Sequence, residues 1–236
     1  GELVKLPDYK RIAGFPGRKH LVVAEIGNHS LTHLCLDPAY PIRSRLIASI
    51  AEAAKPYDGV QIDFEAIPAR NRDDFVEFLR LLKKAVGPKI VGVALTASLS
   101  ESGDSLGYAR IAAVVDRVII MAYDEHWSTS APGPVASLGW CSKVAAYASS
   151  RIPAERLVMG LPFYGRAWGD KRPNRAYKFS GIEGLVAEKR VEAVMREQGI
   201  PWFRYEETVV VDVYFDDAAS IRRRLGLYLD AGVRSV

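Results

Sequence analysis

Asp63 and Glu65 stand two residues apart in the stretch Asp58-Gly59-Val60-Gln61-Ile62-Asp63-Phe64-Glu65, where Val60, Ile62 and Phe64 alternate with Gln61, Asp63 and Glu65. A period of two is that of a β-strand, whose successive side chains point to opposite faces. One face is then apolar, and the other carries an amide and two carboxyls. Alternate strand residues sit roughly 7 Å apart at the backbone, so the two carboxyls can converge on one small volume. Like charges held close push one pKa upward, and an acid that keeps its proton near neutral pH suits general-acid cleavage of a glycosidic bond. If helices cover both faces of the strand, the polar row lies inside, where an unpaired carboxylate costs several kcal/mol or neutralises itself. The alternative is a half-exposed edge strand with a solvated acidic face, and periodicity alone does not separate the two.

The 236 residues are 49% hydrophobic and 25% charged, the balance of a soluble globular protein with one large core or two modest ones. No apolar run approaches the roughly 20 residues of a membrane span, so no membrane span is expected. The start Gly1-Glu2-Leu3-Val4-Lys5 lacks the layout of a signal peptide. Lys and Arg exceed Asp and Glu by 32 to 28, without a basic stripe interleaved with aromatics, so no nucleic-acid partner is expected. The triplet Arg222-Arg223-Arg224 reads as a solvated helix face. Cys35 and Cys141 form no CxxC and no Cys/His cluster at zinc spacing, which predicts no metal site and two free thiols, with a single disulfide as the alternative.

The first twenty residues hold Pro7, Gly14, Pro16 and Gly17 and predict only a short helix or an irregular lead-in. Residues 21–26 read as a short apolar strand ending at Gly27-Asn28. A loop through Asp37-Pro38 and Pro41 then leads to a helix over 42–55, with Leu46, Ile47, Ile50 and Ala54 at helical spacing. Beyond the acidic strand, Asn71 predicts an N-cap for a helix with Asp73 and Asp74 in its first turn and an apolar stripe of Phe75, Phe78, Leu79 and Leu82. Strands follow over 89–96, 117–123 and 156–161, alternating with helices over 108–115 and 140–150, and Pro162 to Arg166 turn outward. Such alternation predicts an α/β fold with a parallel sheet and helical crossovers, with Asn28, Glu65, Tyr123 and Tyr164 gathered just past strand ends. From 167 to 215 the pattern breaks into a helix-like stretch at 182–198 and a β-rich run at 208–214, which predicts a small α+β insertion. A helix over 216–229 and a strand beginning at Gly232 complete the reading.

Three stretches together resemble the family 18 glycoside hydrolases, the chitinase-like barrels. The acidic strand is similar to their DGxDxDxE strand, Met121-Ala122-Tyr123-Asp124 to their MxYD strand, and Gly160-Leu161-Pro162-Phe163-Tyr164-Gly165-Arg166 to their GxPFYGR turn. The run Tyr123-Asp124-Glu125-His126-Trp127 with Pro132-Gly133-Pro134 is similar to a bacterial subgroup, often joined to LysM modules, that acts on spore cortex or cell-wall peptidoglycan. The resemblance implies a TIM-type (β/α)8 barrel forming one catalytic domain over 1–236, with 167–215 inserted after the seventh strand. It implies a polysaccharide substrate containing β-1,4-linked N-acetylglucosamine, no cofactor, a monomer, and an exported, cell-wall or spore-associated setting. Gln61 stands where the family has its first inner Asp. Two strands expected before Leu21 and a Trp expected on the last strand are not found, so the barrel is expected to be incomplete at both ends of this chain.

By the same resemblance, Glu65 protonates the leaving oxygen and later activates water, Asp63 orients the substrate acetamide, and Tyr123 donates to the acetamide oxygen. No carboxylate nucleophile is needed in such a substrate-assisted scheme. Gln61, Met121, Asp124, Trp127, Tyr164 and Asn28 are the expected substrate-binding residues. Each has a plainer reading: Tyr123 as a core tyrosine, Asp124 as a loop cap, Trp127 and Tyr164 as loop packing, His126 as a surface side chain and Asp58 as structural. The competing function is a glycan-binding lectin without turnover.

Overall fold

The computed structural model describes residues 8–169, 174–206 and 210–236. These divide into two compact units, one from Gly1–Thr96, Ser100–Ile120 and Arg151–Leu157, the other from Ala97–Leu99, Met121–Ser150 and Val158–Val236.

Among the described residues a 3-10 turn at Tyr9–Arg11 comes first, then β1 (His20–Glu25), α1 (His29–Leu36), α2 (Ile42–Ala53), β2 (Gly59–Phe64), α3 (Arg72–Val86), β3 (Ile90–Thr96), α4 (Tyr108–Ala112) and β4 (Arg117–Met121). With β5 (Leu157–Met159) these strands make a five-stranded sheet in the order β1-β2-β3-β4-β5. β2 runs parallel to both neighbours, with Gln61 opposite Val22 and Gly92. Its apolar face is buried, with Val60 and Ile62 sealed. Phe64 stacks on Phe78 of α3 at 5.7 Å between ring centroids. The expected stripe of α3 is fully buried as well. Each such side chain contributes about 1.5–3 kcal/mol on leaving water, enough to fix which face of β2 turns inward. At Gly59 a Cβ would meet the Ile90 carbonyl at 2.6 Å, so only glycine lets β3 approach here.

Local chemistry alters the sequence expectations at three places in this unit. Asn71 makes no cap hydrogen bond, because a 3-10 turn at Ala69–Asn71 precedes the helix. Its buried amide instead donates to Asp74 and meets His33 Nδ1 at 3.0 Å, tying α1 to α3. Helix α1 itself was not expected; Asn28 Oδ1 caps it by accepting from the Leu31 amide at 2.9 Å. Helix α4 is shorter than expected and starts where Asp104 accepts from the amides of Gly107 and Tyr108.

The second unit holds α5 (Leu138–Arg151), β6 (Tyr164–Gly169), β7 (Arg175–Lys178), α6 (Phe179–Glu188), β8 (Met195–Glu197), β9 (Ile200–Glu206), β10 (Val210–Tyr214) and α7 (Ala218–Asp230). Its antiparallel sheet runs β7-β6-β10-β9-β8. Ala167, Ile182, Phe203, Val211, Val213 and Phe215 form its core, so the α+β character expected for 167–215 is present and starts at Tyr164. The helix expected over 182–198 stops at Glu188. The remainder turns into a hairpin at Gln198-Gly199, both at positive φ (48° and 83°), as a two-residue type I′ turn requires. The strand expected from Gly232 onward does not form, although the Met159 amide donates to the Ser235 carbonyl at 3.0 Å. Both cysteines are free and buried.

The arginine triplet corrects the reading of a solvated face. Arg222 and Arg223 are exposed, whereas Arg224 is completely buried. Its guanidinium donates to Asp216 Oδ1 at 2.9 Å and to the Ala136 carbonyl at 2.5 Å. Successive helix positions rotate by about 100°, and the third arginine faces inward. Burial raises the Asp216 pKa while Arg224 opposes that shift. Removing one partner of a buried pair leaves the other uncompensated. Arg224→Leu is expected to lower stability by about 3–5 kcal/mol in urea unfolding, whereas Arg223→Leu changes it little.

Candidate active site

On β2 the polar row behaves as its spacing predicts. Gln61 and Asp63 are half-buried and Glu65, one residue past the strand, is exposed. Registered residues of parallel strands share a face, so Val22, Ala24 and Gly92 lie beside Gln61 and Asp63, and at Gly92 the Ile119 side chain, 3.2 Å from where a Cβ would stand, takes up the space that glycine leaves. The Glu65 amide donates to the Glu25 carbonyl at 3.0 Å, which extends the β1 pairing and fixes the backbone that carries the acid. Asp63 Oδ1 is sealed from solvent and has no hydrogen-bond partner among the described residues. Desolvation accordingly pushes the Asp63 carboxyl above its ordinary range. Its proton is therefore lost at a higher pH than that of an exposed Asp.

Two further polar residues of the same unit are engaged with the backbone around them. Asp58 accepts from the Lys19 amide at 2.7 Å, and that bond holds its carboxyl below the usual range. Asn28 spends its side-chain oxygen on the N-terminus of α1, while its own amide donates to Glu25.

In the second unit Met121 closes β4, and the Tyr123 amide turns back onto the Met121 carbonyl at 2.8 Å. The Tyr123 ring meets Tyr164 edge-on, with centroids 6.2 Å apart. Asp124 follows in the left-handed region at φ 58°, a conformation that Asp tolerates better than most residues. From there its Oδ1 accepts from the Tyr164 hydroxyl at 2.5 Å and from Arg166 Nη2 at 2.8 Å. Burial and the Asp124 carboxylate push the Tyr164 phenol far up, so Tyr164 remains a proton donor at any ordinary pH. Arg166 carries no signal of its own in the motif; its position two residues after Tyr164 on β6 brings both donors to Asp124.

Past Asp124, the Glu125 carboxylate accepts from the Ser137 amide and hydroxyl, and His126 Nδ1 meets the Pro134 carbonyl at 2.8 Å. His126 thus closes its loop, and among the described residues no group of three or more acidic, His or Cys side chains could hold a metal. Trp127 is half exposed (51%), with its indole N–H donating to Thr129 Oγ1 at 2.8 Å.

The raised Asp63 pKa has a pH signature. The folded state binds this proton more tightly than the unfolded chain, whose Asp titrates near 3.9, so its charging penalises folding as pH rises from about 4 and levels off above the folded pKa. Asp63→Asn removes that penalty. The stability of the variant relative to the parent is expected to increase from pH 4 toward neutrality and then stay level, as read by urea unfolding across pH 4 to 8.

Comparison with known proteins agrees with these motifs. The profile of Glycosyl hydrolases family 18 matches residues 33–233. The chain is 28% identical over 213 residues to YdhD of Bacillus subtilis, which carries the name sporulation-specific glycosylase, covering 82% of this chain and 50% of that protein. It is 27% identical over 239 residues to the cortical fragment-lytic enzyme of Bacillus anthracis, covering 92% and 55%. This chain therefore spans about half the length of these relatives. Among solved structures, YdhD superposes with a TM-score of 0.89 at 22% identity, over 100% of this chain and 85% of that one. The spore cortex-lytic enzyme SleL of Bacillus cereus superposes at 0.80 and 26% identity, over 91% and 53%. The parallel and antiparallel sheets are thus those of the α/β barrel fold shared by these glycosylases, and the chain belongs to glycosyl hydrolase family 18.

Proposed function

We propose that this chain is the catalytic part of a retaining glycoside hydrolase that cleaves β-1,4 bonds of N-acetylglucosamine-containing polysaccharide, with spore-cortex or cell-wall peptidoglycan favoured over chitin. The observation that carries the reading is the Asp63 carboxyl, its Oδ1 buried without a hydrogen-bond partner among the described residues and its pKa raised, two residues before the exposed Glu65 in the same polar row. The cortex-lytic relatives support the choice of polymer.

In this scheme the acetamido oxygen of the substrate attacks the anomeric carbon as Glu65 gives its proton to the departing glycosidic oxygen. Asp63 accepts from the acetamide N–H and balances the positive charge of the cyclic intermediate, and Tyr123 donates to the acetamide oxygen. Glu65, now a base, takes a proton from water, which attacks the same carbon from the face the leaving group left as the bond from that carbon to the acetamido oxygen breaks and the acetamide is restored. Two inversions give net retention. Gln61 adds no further acid to the row. The domain acts as a monomer on a wall polymer outside the membrane or in the spore, with the β6–β10 region as an insertion in a single catalytic domain.

A lectin reading is kept alive by Gln61 in the acidic row. Release of reducing ends from peptidoglycan and from N-acetylglucosamine oligomers separates the two. Glu65→Gln keeps shape and removes the proton, and is expected to lower kcat by about 10²–10⁴-fold with little change in KM. A parent protein that binds these glycans, cuts none of them and is matched by Glu65→Gln in affinity would replace the hydrolase by the lectin.

A further inference from the structure

The loop between β4 and α5 carries an exposed indole, and its backbone is held from outside. The Trp127 carbonyl accepts from the indole N–H of Trp168 at 3.1 Å, and the Ser128 carbonyl from Asn174 Nδ2 at 2.6 Å. Asn174 Oδ1 accepts in turn from the Gly169 amide at 3.2 Å. Both donors belong to the β6–β7 hairpin region, so two successive carbonyls of one loop are fastened to one sheet. Trp168 is itself fixed: it is 3% exposed and lies edge-on to Tyr214 at 5.9 Å, and Tyr214 stacks on Trp202 at 5.5 Å. Surface loops ordinarily move, and a side chain on a moving loop must be immobilised when it binds. Here that cost is met beforehand.

The Trp127 ring has one polar atom, and Thr129 occupies it. What remains for a ligand is the flat apolar face. A pyranose ring offers a matching face of C–H groups, and an aromatic wall with few polar contacts is the usual lining of a small-molecule site.

We infer that Trp168 and Asn174 are positioning residues that hold the Trp127 indole as a preorganised platform for a sugar ring of the glycan. The inference rests on the glycan reading above and assigns to the β6–β7 hairpin a part in substrate affinity. Neither residue touches substrate; each acts through the backbone of Trp127 and Ser128.

Trp168→Phe removes the N–H and keeps most of the ring, and Asn174→Asp removes the donor and keeps the acceptor for Gly169. Each is expected to weaken binding of N-acetylglucosamine oligomers about 3–10-fold by titration calorimetry, in a Glu65→Gln background that prevents turnover. With Glu65 intact, each raises KM more than it lowers kcat, and amide hydrogen exchange at residues 128–130 speeds up. In a Trp127→Ala background neither change weakens binding further, because the platform they hold is gone. Additive losses in that background would make both residues merely structural and overturn the inference. So would unchanged affinity in the single variants beside a clear loss in Trp127→Ala, with the hydrolase reading left standing. A parent that neither binds nor cuts any of these glycans would end both.

Discussion

The structure depends first on the amphipathic register of β2. Val60, Ile62 and Phe64 are buried, and Phe64 lies against α3. A slip of one residue would bury Gln61, Asp63 and Glu65 in that apolar layer and expose the core, so the hydrophobic term fixes the register and the polar row follows from it. Gly59 makes the pairing with β3 possible, and the Glu65 amide extends the pairing with β1 past the last strand residue. The acids are held by the backbone of a buried strand, which places them more firmly than a loop would.

Asp124 plays the corresponding part in the second unit. One carboxylate oxygen receives a phenol and a guanidinium, and the left-handed backbone turns the side chain toward them. The charge-assisted bonds to Asp124 offset the cost of that conformation. Beyond it, side chains satisfy the carbonyls of Trp127, Ser128, Pro134 and Ala136, and Glu125 holds Ser137, whose hydroxyl accepts from the Trp140 amide in the first turn of α5. A segment rich in Ser, Pro and Gly, which by composition is a mobile loop, is thereby held at both ends and along its length.

Burial of polar groups follows the same logic at Arg224. Its pair with Asp216 lies beside Cys141 and Tyr228, and desolvation raises the pKa of both the thiol and the phenol. A buried ion pair adds little net stability over an apolar substitute, but once present it makes each partner indispensable to the other. Here it also pins the Ala136 carbonyl, joining α7 to the end of the loop that begins at Asp124.

The sequence by itself determined the elements whose periodicity is strong and local. The alternation of β2, the stripe of α3, the α/β alternation and the strand-end placement of Glu65 and Tyr123 all follow from spacing, since a face must be apolar to be buried. It also marked Trp127 and Asp124 through their motif. Tertiary structure decided where polar side chains spend their hydrogen bonds. Asn71 carries a capping residue type yet links two helices, and Arg224 sits in a basic triplet yet faces a buried carboxylate. Trp168 and Asn174 carry no local signal of the loop they hold, which lies more than forty residues earlier in the chain. Periodicity reports which side of an element is buried; the partner of a polar atom is set by whichever segment is packed beside it, and that is fixed only when the chain has folded.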